Sequence, residues 1–178
     1  MAQQLVKDPY NFDFLSLGLE VKERDLERGL IGHLRDFLLE LGVGFTFVGQ
    51  QYLLEVGEQD FRLDLLFYHL RLRCFVVVDL KLSDFIPEYA GKMNFYLSAV
   101  DDQLRHTDDE PSIGIVLCKT KNNVVVEYAL RDTTKPISVA EYRLRTSLPE
   151  SLETLLPTVE QLRNELNSAK EPPSEALS

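Results

Sequence analysis

Apolar residues in the first third of the chain recur every three or four positions across residues 22–41, the spacing of a helix with one buried face. The members of this stripe are Leu26, Leu30, Ile31, Leu34, Phe37, Leu38 and Leu41. Gly42 and Gly44 follow the last of them and favour the end of a helix. The pattern therefore predicts one amphipathic helix over this stretch.

The pattern then changes to short apolar runs separated by turn residues, which is typical of β-strands. The elements that we predict, in chain order, are a strand or hairpin around Gly49, a turn at residues 57–60, strands at 61–68 and 75–81, a helix from Pro87 to about residue 100, strands at 113–118 and 124–130, and a last helix at 148–166. A proline at the first turn is a common helix start.

The two ends of the chain have a different composition from the middle. Residues 1–20 are mixed and carry several aromatic side chains, so we expect an irregular N-terminal arm with aromatic anchors. Residues 168–178 are rich in Pro, Ser and Glu, as in a disordered tail. Residues 21–167 then form the one domain expected of a 178-residue chain. The order of helices and strands predicts an α/β fold, with a mixed β-sheet flanked by helices.

Composition argues against several protein classes. The hydrophobic fraction of 44% fits a globular protein, and no stretch approaches the ~20 apolar residues of a membrane helix. The N-terminus has no signal-peptide pattern, so we expect a cytoplasmic protein without membrane contact. Cys74 and Cys118 lie in apolar runs and are expected to pack in the core as free thiols. The sequence contains no paired Cys/His cluster, so a structural zinc site is not expected.

The net charge of -10 argues against simple nucleic-acid binding, which usually leaves a basic footprint. The charge is uneven, however, because Arg62, Arg71, Arg73 and Lys81 stand close in sequence to the candidate site described next. A local basic strip of this kind can hold a phosphate backbone on an acidic protein. On the second predicted helix, Lys92 is a further candidate for contact with nucleic acid.

The strand at 75–81 ends in two candidate catalytic residues, Asp79 and Lys81. They are two positions apart, so their side chains must point to the same face of the strand. Asp64 lies in the middle of the preceding strand. Hard ions such as Mg²⁺ prefer oxygen ligands, so Asp64, Asp79 and the carbonyl of Leu80 could hold one. Lys81 could then position the attacking water or stabilise a charged transition state. This combination indicates a metal-dependent site that cleaves phosphodiester bonds.

Glu27 is a third acid of interest, because it shares the buried row of the first helix. A buried acid is costly unless it meets a cation or a metal, so Glu27 could complete the carboxylate cluster. Plainer interpretations stay open at this point. A D-x-K triplet at a strand end is usually a solvated pair, Asp64 could face solvent, and Glu27 could lie at the rim of the apolar stripe.

Asp64 with the triplet Asp79-Leu80-Lys81 is similar to the motif of the PD-(D/E)xK nuclease superfamily, and the order of elements matches its core. More specifically, the chain resembles the bacterial YhcG-type family over about residues 8–157. The stretches that carry this resemblance are Asp8-Pro9-Tyr10 with Phe14-Leu15, residues 37–42, residues 45–51, residues 64–69, residues 92–97, residues 113–118 and residues 127–130.

The resemblance implies a restriction-endonuclease-like core and cleavage of nucleic acid, with DNA as the expected substrate and Mg²⁺ or Mn²⁺ as the cofactor. It carries over Asp64, Asp79 and Lys81 as the motif, Glu27 as the helical acid and Gln51 as an accessory residue that contacts nucleic acid. The family usually has Glu where this chain has Asp79, although the superfamily motif admits either acid.

Relatives in this family usually carry an N-terminal helical domain that binds DNA. We therefore expect substrate selection here to be absent or to come from a separate DNA-binding partner. By analogy with the superfamily, a homodimer is also expected, since two identical sites can cut two strands. The rival hypotheses are a non-catalytic nucleic-acid-binding or assembly domain that keeps the nuclease fold, and a plain α/β interaction domain with no site.

Overall fold

The computed structural model describes residues 5–15, 17 and 21–144. Its elements, in chain order, are β1 (Tyr10–Phe12), α1 (Glu23–Gly32), α2 (Leu34–Leu41), β2 (Phe45–Val56), β3 (Gln59–His69), β4 (Cys74–Leu80), α3 (Pro87–Gln103), β5 (Ile113–Cys118), α4 (Asn123–Leu130) and β6 (Ile137–Leu144). The helix predicted at 148–166, the tail at 168–178 and the domain boundary at 167 lie outside the described residues.

The six strands form one mixed sheet in the order β1-β6-β5-β4-β3-β2. The hairpin partners β2, β3 and β4 pair antiparallel, whereas β4, β5, β6 and β1 pair parallel. Strand β4 is therefore the place where the two kinds of pairing meet. This architecture confirms the predicted α/β fold with a mixed sheet flanked by helices.

The side chains of the sheet alternate between two apolar cores, one on each face. Helices α1 and α2 cover one face through Leu26, Leu30, Phe37 and Leu41, together with Val76 and Val78 of β4. Helices α3 and α4 cover the other face, where Met93 and Leu97 pack with Val77 of β4. The alternation along β4 continues past Val77, so Asp79 and Lys81 belong to the α3 face.

A glycine in β5 sets how closely α3 approaches the sheet. A Cβ atom at Gly114 would lie 2.5 Å from Cγ of Met93 and 3.2 Å from a methyl carbon of Leu97. A larger residue there would therefore force the side chains of Met93 and Leu97 to shift. Because α3 also carries Tyr89 and Lys92, this close approach helps to position the side chains above the end of β4.

The predicted single helix at 22–41 is wrong in one respect, because His33 divides it into α1 and α2. His33 has φ -120° and ψ 44°, which is not a helical conformation. Its backbone N–H bonds the carbonyl of Gly29, and its ring Nδ1 lies 3.0 Å from the same oxygen. Gly29 and Gly32 are weak helix formers, which makes a break at this point inexpensive.

Residues 124–130 form α4 instead of the predicted strand. Three consecutive valines favour a strand, but Asn122 directly before them caps a helix. Its side-chain oxygen accepts hydrogen bonds from the backbone N–H groups of Val124 and Val125, at 3.0 and 3.3 Å. Strand β5 pairs with β4 and with β6, and β6 is a strand that the sequence did not predict.

Other predictions for the described residues are confirmed or refined. Residues 45–56 form one strand with a bulge between Phe47 and Gly49, instead of a hairpin. Within the predicted N-terminal arm, Tyr10 and Phe12 are fully buried aromatic anchors, and β1 pairs with β6. Cys74 and Cys118 are buried free thiols, as predicted. None of the helices that the structure describes is both long and apolar enough to cross a lipid bilayer.

Candidate active site

The candidate site lies where β3 and β4 stop pairing. Their antiparallel register runs from His69 opposite Cys74 to Leu65 opposite Val78 and ends there. One position further along, the same register sets Asp64 opposite Asp79. The Leu80 backbone N–H donates a 2.9 Å hydrogen bond to Oδ2 of Asp64. Where the backbone pairing ends, the Asp64 carboxylate therefore replaces a backbone carbonyl as the hydrogen-bond acceptor.

Asp79 and Lys81 lie side by side at the end of β4. The Lys81 Nζ atom is 3.8 Å from Oδ2 of Asp79, a distance for an ion pair but too long for a hydrogen bond. Asp79 is only 2% exposed and Lys81 is 9% exposed. Oδ2 of Asp79 is buried and has no hydrogen-bond partner among the residues that the structure describes. The Lys81 ammonium is too far away to satisfy this acceptor by a hydrogen bond, so a further cation bound at Asp79 would be favourable.

The electrostatics of Asp79 follow from this position. Burial raises the pKa of the Asp79 carboxyl well above its ordinary value, and the neighbouring Asp64 carboxylate raises it further. The positive charges of Lys81 and Lys92 act in the opposite direction but do not compensate. Two facing carboxylates in a desolvated setting are therefore unfavourable as they stand, and a divalent cation would relieve both burial and repulsion.

Lys81 is held from several sides. Its backbone N–H donates to the Leu117 carbonyl of β5 at 2.8 Å, and its own carbonyl accepts from the Tyr142 hydroxyl at 2.7 Å. The Nζ atom lies 4.9 Å from the centre of the Tyr89 ring, a cation–π contact. The Tyr89 hydroxyl is in turn 2.6 Å from Oγ of Ser83. These contacts restrict where the ammonium group can point.

Glu27 reaches the site through an amide. The Gln51 side-chain Nε2 donates to Oε2 of Glu27 at 2.6 Å and lies 3.4 Å from Oδ1 of Asp64. Gln51 has a φ of 46°, a left-handed conformation that a residue other than glycine adopts at some cost. Burial raises the pKa of Glu27, although the hydrogen bond from Gln51 opposes that rise.

The donor set can be compared with what a divalent ion needs. Across residues 5–15, 17 and 21–144, no group of three or more His, Cys, Asp or Glu side chains is arranged to hold a metal ion. Mg²⁺, however, is often held by one or two carboxylates, with water and substrate phosphates completing its shell. Asp64 and Asp79 fit that requirement, and the partnerless oxygen of Asp79 supports it. Glu27 stands apart from this pair, because the Gln51 amide lies between.

The residues predicted to contact nucleic acid do not form one continuous strip. Arg62 donates to the Gln51 carbonyl at 3.3 Å, which brings it beside the site. Burial acts to lower the pKa of Lys92, but the nearby charge of Asp79 and other groups raises it overall, so Lys92 also lies close. Arg71 and Arg73 instead precede β4, at its opposite end. The expectation that they lie around the carboxylates is therefore wrong for these two residues.

Two contributors to the site were missed by the sequence analysis. Tyr142 lies in β6, whose residues 137–144 carry an alternation of apolar and polar positions that could have identified the strand. Ser83 follows the D-x-K triplet by two residues and orients Tyr89. Nothing in the sequence signals that second contact, because it depends on how the loop after β4 folds back towards α3.

Comparison with known proteins places this geometry in context. Residues 3–157 match the family described as YhcG PDDEXK nuclease domain. The Escherichia coli (strain K12) protein named "Putative nuclease YhcG" is 43% identical over 145 residues, which is 82% of this chain and 39% of that relative. The chain thus spans about two fifths of the length of the curated relative that it matches.

Two solved structures show a limited likeness to this chain. A repair endonuclease from Pyrococcus abyssi shares 13% identity with a TM-score of 0.46, covering 71% of this chain and 49% of that chain. EndoMS in complex with double-stranded DNA shares 14% identity with a TM-score of 0.48, covering 78% of this chain and 49% of that chain.

Proposed function

Since the chain belongs to the YhcG PDDEXK nuclease domain family, we propose that it is a metal-dependent nuclease that hydrolyses phosphodiester bonds of DNA. Mg²⁺ is the expected cofactor and Mn²⁺ an alternative. The proposed catalytic residues are Asp64, Asp79 and Lys81, and Glu27 acts through Gln51. The carbonyl of Leu80 is proposed as a further metal ligand.

One observation carries this proposal. Asp64 and Asp79 lie one position beyond the last pair of β3 and β4 and influence each other's charge, and the buried Oδ2 of Asp79 lacks a hydrogen-bond partner among the described residues. A solvated ion pair or a purely structural acid would not need such an arrangement, because burying an unsatisfied carboxylate lowers stability. Costly polar groups that persist in a fold are commonly found at functional sites.

Asp64, Asp79 and Lys81 have different proposed roles in hydrolysis. A divalent ion bound by Asp64 and Asp79 would supply Lewis-acid chemistry, neutralising charge on the phosphate and easing deprotonation of water. The ammonium of Lys81 donates hydrogen bonds to the attacking water or to a non-bridging phosphate oxygen. In the reaction the water oxygen bonds to phosphorus, one ester P–O bond breaks, and the leaving oxygen takes a proton.

Other side chains position these groups. The Gln51 amide joins the Glu27 and Asp64 carboxylates, which fixes the direction in which Asp64 presents its oxygens. The ring of Tyr89 limits the movement of the Lys81 ammonium. Arg62 and Lys92 are proposed to hold phosphates of the bound strand, because both lie beside the carboxylates and oppose the overall negative charge.

The rival function is a nucleic-acid-binding or assembly domain that keeps the fold without catalysis. The observation in its favour is that the described residues contain no group of three acids arranged around one ion. Substrate choice by a separate partner and a cytoplasmic location stay predictions. A homodimer also stays a prediction, and light scattering at micromolar concentration checks it. A monomer would favour nicking or single-strand cleavage over the cutting of both strands.

The test of nuclease function uses plasmid DNA, single-stranded DNA and RNA, each incubated with Mg²⁺, Mn²⁺ or EDTA. We expect cleavage of DNA with a metal, none with EDTA, and none by the Asp64→Asn variant. Equal cleavage by that variant would assign the activity to other residues. Binding of the same substrates without cleavage under any metal condition would favour the non-catalytic rival.

A further inference from the structure

A cavity of about 810 Å³ lies at the end of β4 away from Asp79. Cys74, the first residue of β4, and Ile113, the first residue of β5, contribute to its wall. Cys74 and Asp79 are five residues apart on an extended strand, so this cavity is about 17 Å from the candidate active site. Its volume falls in the range of pockets that bind small molecules, roughly 300–1,000 Å³.

The charge of this cavity is opposite to that of the protein. Its lining includes four cationic side chains, Arg71, Arg73, Arg105 and Lys135, and two acidic ones, Asp101 and Glu110. The lining therefore has two positive charges in excess, on a protein whose net charge is -10. Leu72, Pro111 and Pro136 add an apolar part to the wall.

Most of this positive charge is not neutralised within the cavity. Lys135 pairs with Asp101 at 3.3 Å, but no carboxylate of the described part of the chain forms an ion pair with Arg71 or Arg73. Asp109 lies near Arg73, but its carboxylate accepts hydrogen bonds from the Tyr68 hydroxyl and the His106 N–H. The guanidinium groups of Arg71 and Arg73 thus remain available to an anionic ligand, whereas Nε of Arg105 donates to the Asp109 carbonyl at 3.0 Å.

The backbone around Arg73 also distinguishes this place. Arg73 has a φ of 55°, in the left-handed region that glycine and asparagine adopt most readily. Its N–H donates to the His69 carbonyl at 2.8 Å, and its carbonyl accepts from the Glu110 N–H at 2.8 Å. These two bonds hold the unfavourable conformation. Such strain is often found at ligand-binding positions, and an arginine here is unexpected for a turn alone.

We propose that this cavity is an anion-binding site, separate from the nuclease site, that takes the phosphate groups of a nucleotide-sized ligand. The arginine guanidinium groups match phosphate oxygens in geometry and charge. The apolar part of the wall, with Leu72 and the two prolines, suits the sugar or base of the same ligand. The phosphates could come from a free nucleotide or from the end of a nucleic-acid strand, and the two sources share this chemistry.

The test measures binding by calorimetry in EDTA, so that metal-dependent cleavage plays no part. The probes are inorganic pyrophosphate, ATP and a ten-nucleotide single-stranded DNA. The variant Arg71→Gln/Arg73→Asn removes two charges, and asparagine tolerates the left-handed position. The control Arg35→Gln/Arg131→Gln removes the same charge from exposed positions outside the cavity, one in α2 and one directly after α4. We expect ATP to bind, the cavity variant to weaken it at least tenfold, and the control to leave it unchanged.

The source of the phosphates follows from the probes. Binding of ATP and pyrophosphate but not of the DNA assigns the site to a free nucleotide, whereas tighter binding of the DNA, lost in the cavity variant, assigns it to a strand end. Absence of binding by every probe, or equal binding to wild type and the cavity variant, would overturn the proposal. Melting temperatures of both variants check that they fold. None of these results depends on whether Asp64 and Asp79 support cleavage.

Discussion

The two ends of strand β4 carry opposite charges in opposite surroundings. At the end of the strand, Asp79 and Lys81 are buried, and Oδ2 of Asp79 has no hydrogen-bond partner among the described residues. Before its start, Arg71 and Arg73 are exposed and border an open cavity. The first end is unfavourable until a cation binds, whereas we propose that the second end binds an anion.

This difference shows how burial determines what a charged residue can do. A buried acid that lacks a hydrogen-bond partner has a shifted pKa and favours a bound cation, which suits catalysis. An exposed arginine keeps its charge. Because its guanidinium group is weakly hydrated, it loses little hydration when it binds a ligand, which suits reversible binding of phosphate. The two regions should therefore respond differently to metal, to pH and to substitution, and four predictions test that.

The largest expected effect is on cleavage by Lys81→Ala. Removing an ammonium aimed at developing charge typically lowers the rate by about 10²–10³-fold, so we expect a loss of at least about 10²-fold. Arg35→Ala, which removes one exposed positive charge from α2, is the control and should cleave as wild type does. Single-turnover cleavage of plasmid DNA measures both. Equal rates for Lys81→Ala and wild type would contradict the role assigned to Lys81.

Metal binding should stabilise one end of β4 and leave the other unchanged. At a concentration 100 times its Kd, a bound ion adds about 2.7 kcal/mol to the free energy of unfolding. That corresponds to roughly 5–10 °C in Tm for a chain of this size. We expect this gain in wild type and in Arg71→Gln, and its loss in Asp64→Asn. A gain of the same size in Asp64→Asn would place the ion elsewhere.

A smaller effect is expected at Gln51, which links the two acids. Gln51→Gly removes the amide and accommodates the positive φ, so the backbone should be unchanged. We expect cleavage to fall about tenfold, equivalent to about 1.4 kcal/mol in the barrier. Gln50→Gly, one position away, is the matched control. Circular dichroism confirms folding, and a rate unaffected by Gln51→Gly would mean that Glu27 does not act through this amide.

The last prediction concerns pH in the absence of metal. Because burial raises the pKa of Asp79 in the folded state, the folded protein holds a proton that the unfolded chain releases near pH 4. The stability present below that pH is therefore lost as pH rises towards the raised pKa, by up to about 1.4 kcal/mol per pH unit. Urea unfolding in EDTA should show this slope in wild type and a shallower one in Asp79→Asn. Parallel slopes would contradict the raised pKa.

Much of this site could be predicted from the sequence. Period-two alternation implied that Asp79 and Lys81 share a face, and the amphipathic helix implied that Glu27 is buried. Burial of all three and the 3.8 Å contact agree with that reasoning. Local patterns sufficed here because the geometry of one strand or one helix decides the outcome.

The rest depends on contacts between distant segments. Whether Arg73 lies beside Asp79 is decided by the length and direction of β4, which separates them by a whole strand. The contact of the Gln51 amide with Glu27 and Asp64 needs a positive φ, which the presence of a glutamine in the sequence does not indicate. Residues 123–130 form a helix because the Asn122 side chain caps its N-terminus. This cap outweighs the preference of three consecutive valines for a strand.

The most direct test of the account is the position of a bound ion. Crystals soaked in Mn²⁺ and measured at the manganese absorption edge give that position from anomalous scattering. We expect one strong peak within coordination distance, about 2.0–2.3 Å, of carboxylate oxygens from both Asp64 and Asp79. A Mn²⁺ peak bound only at other residues, or no peak at all with both carboxylates ordered, would contradict it.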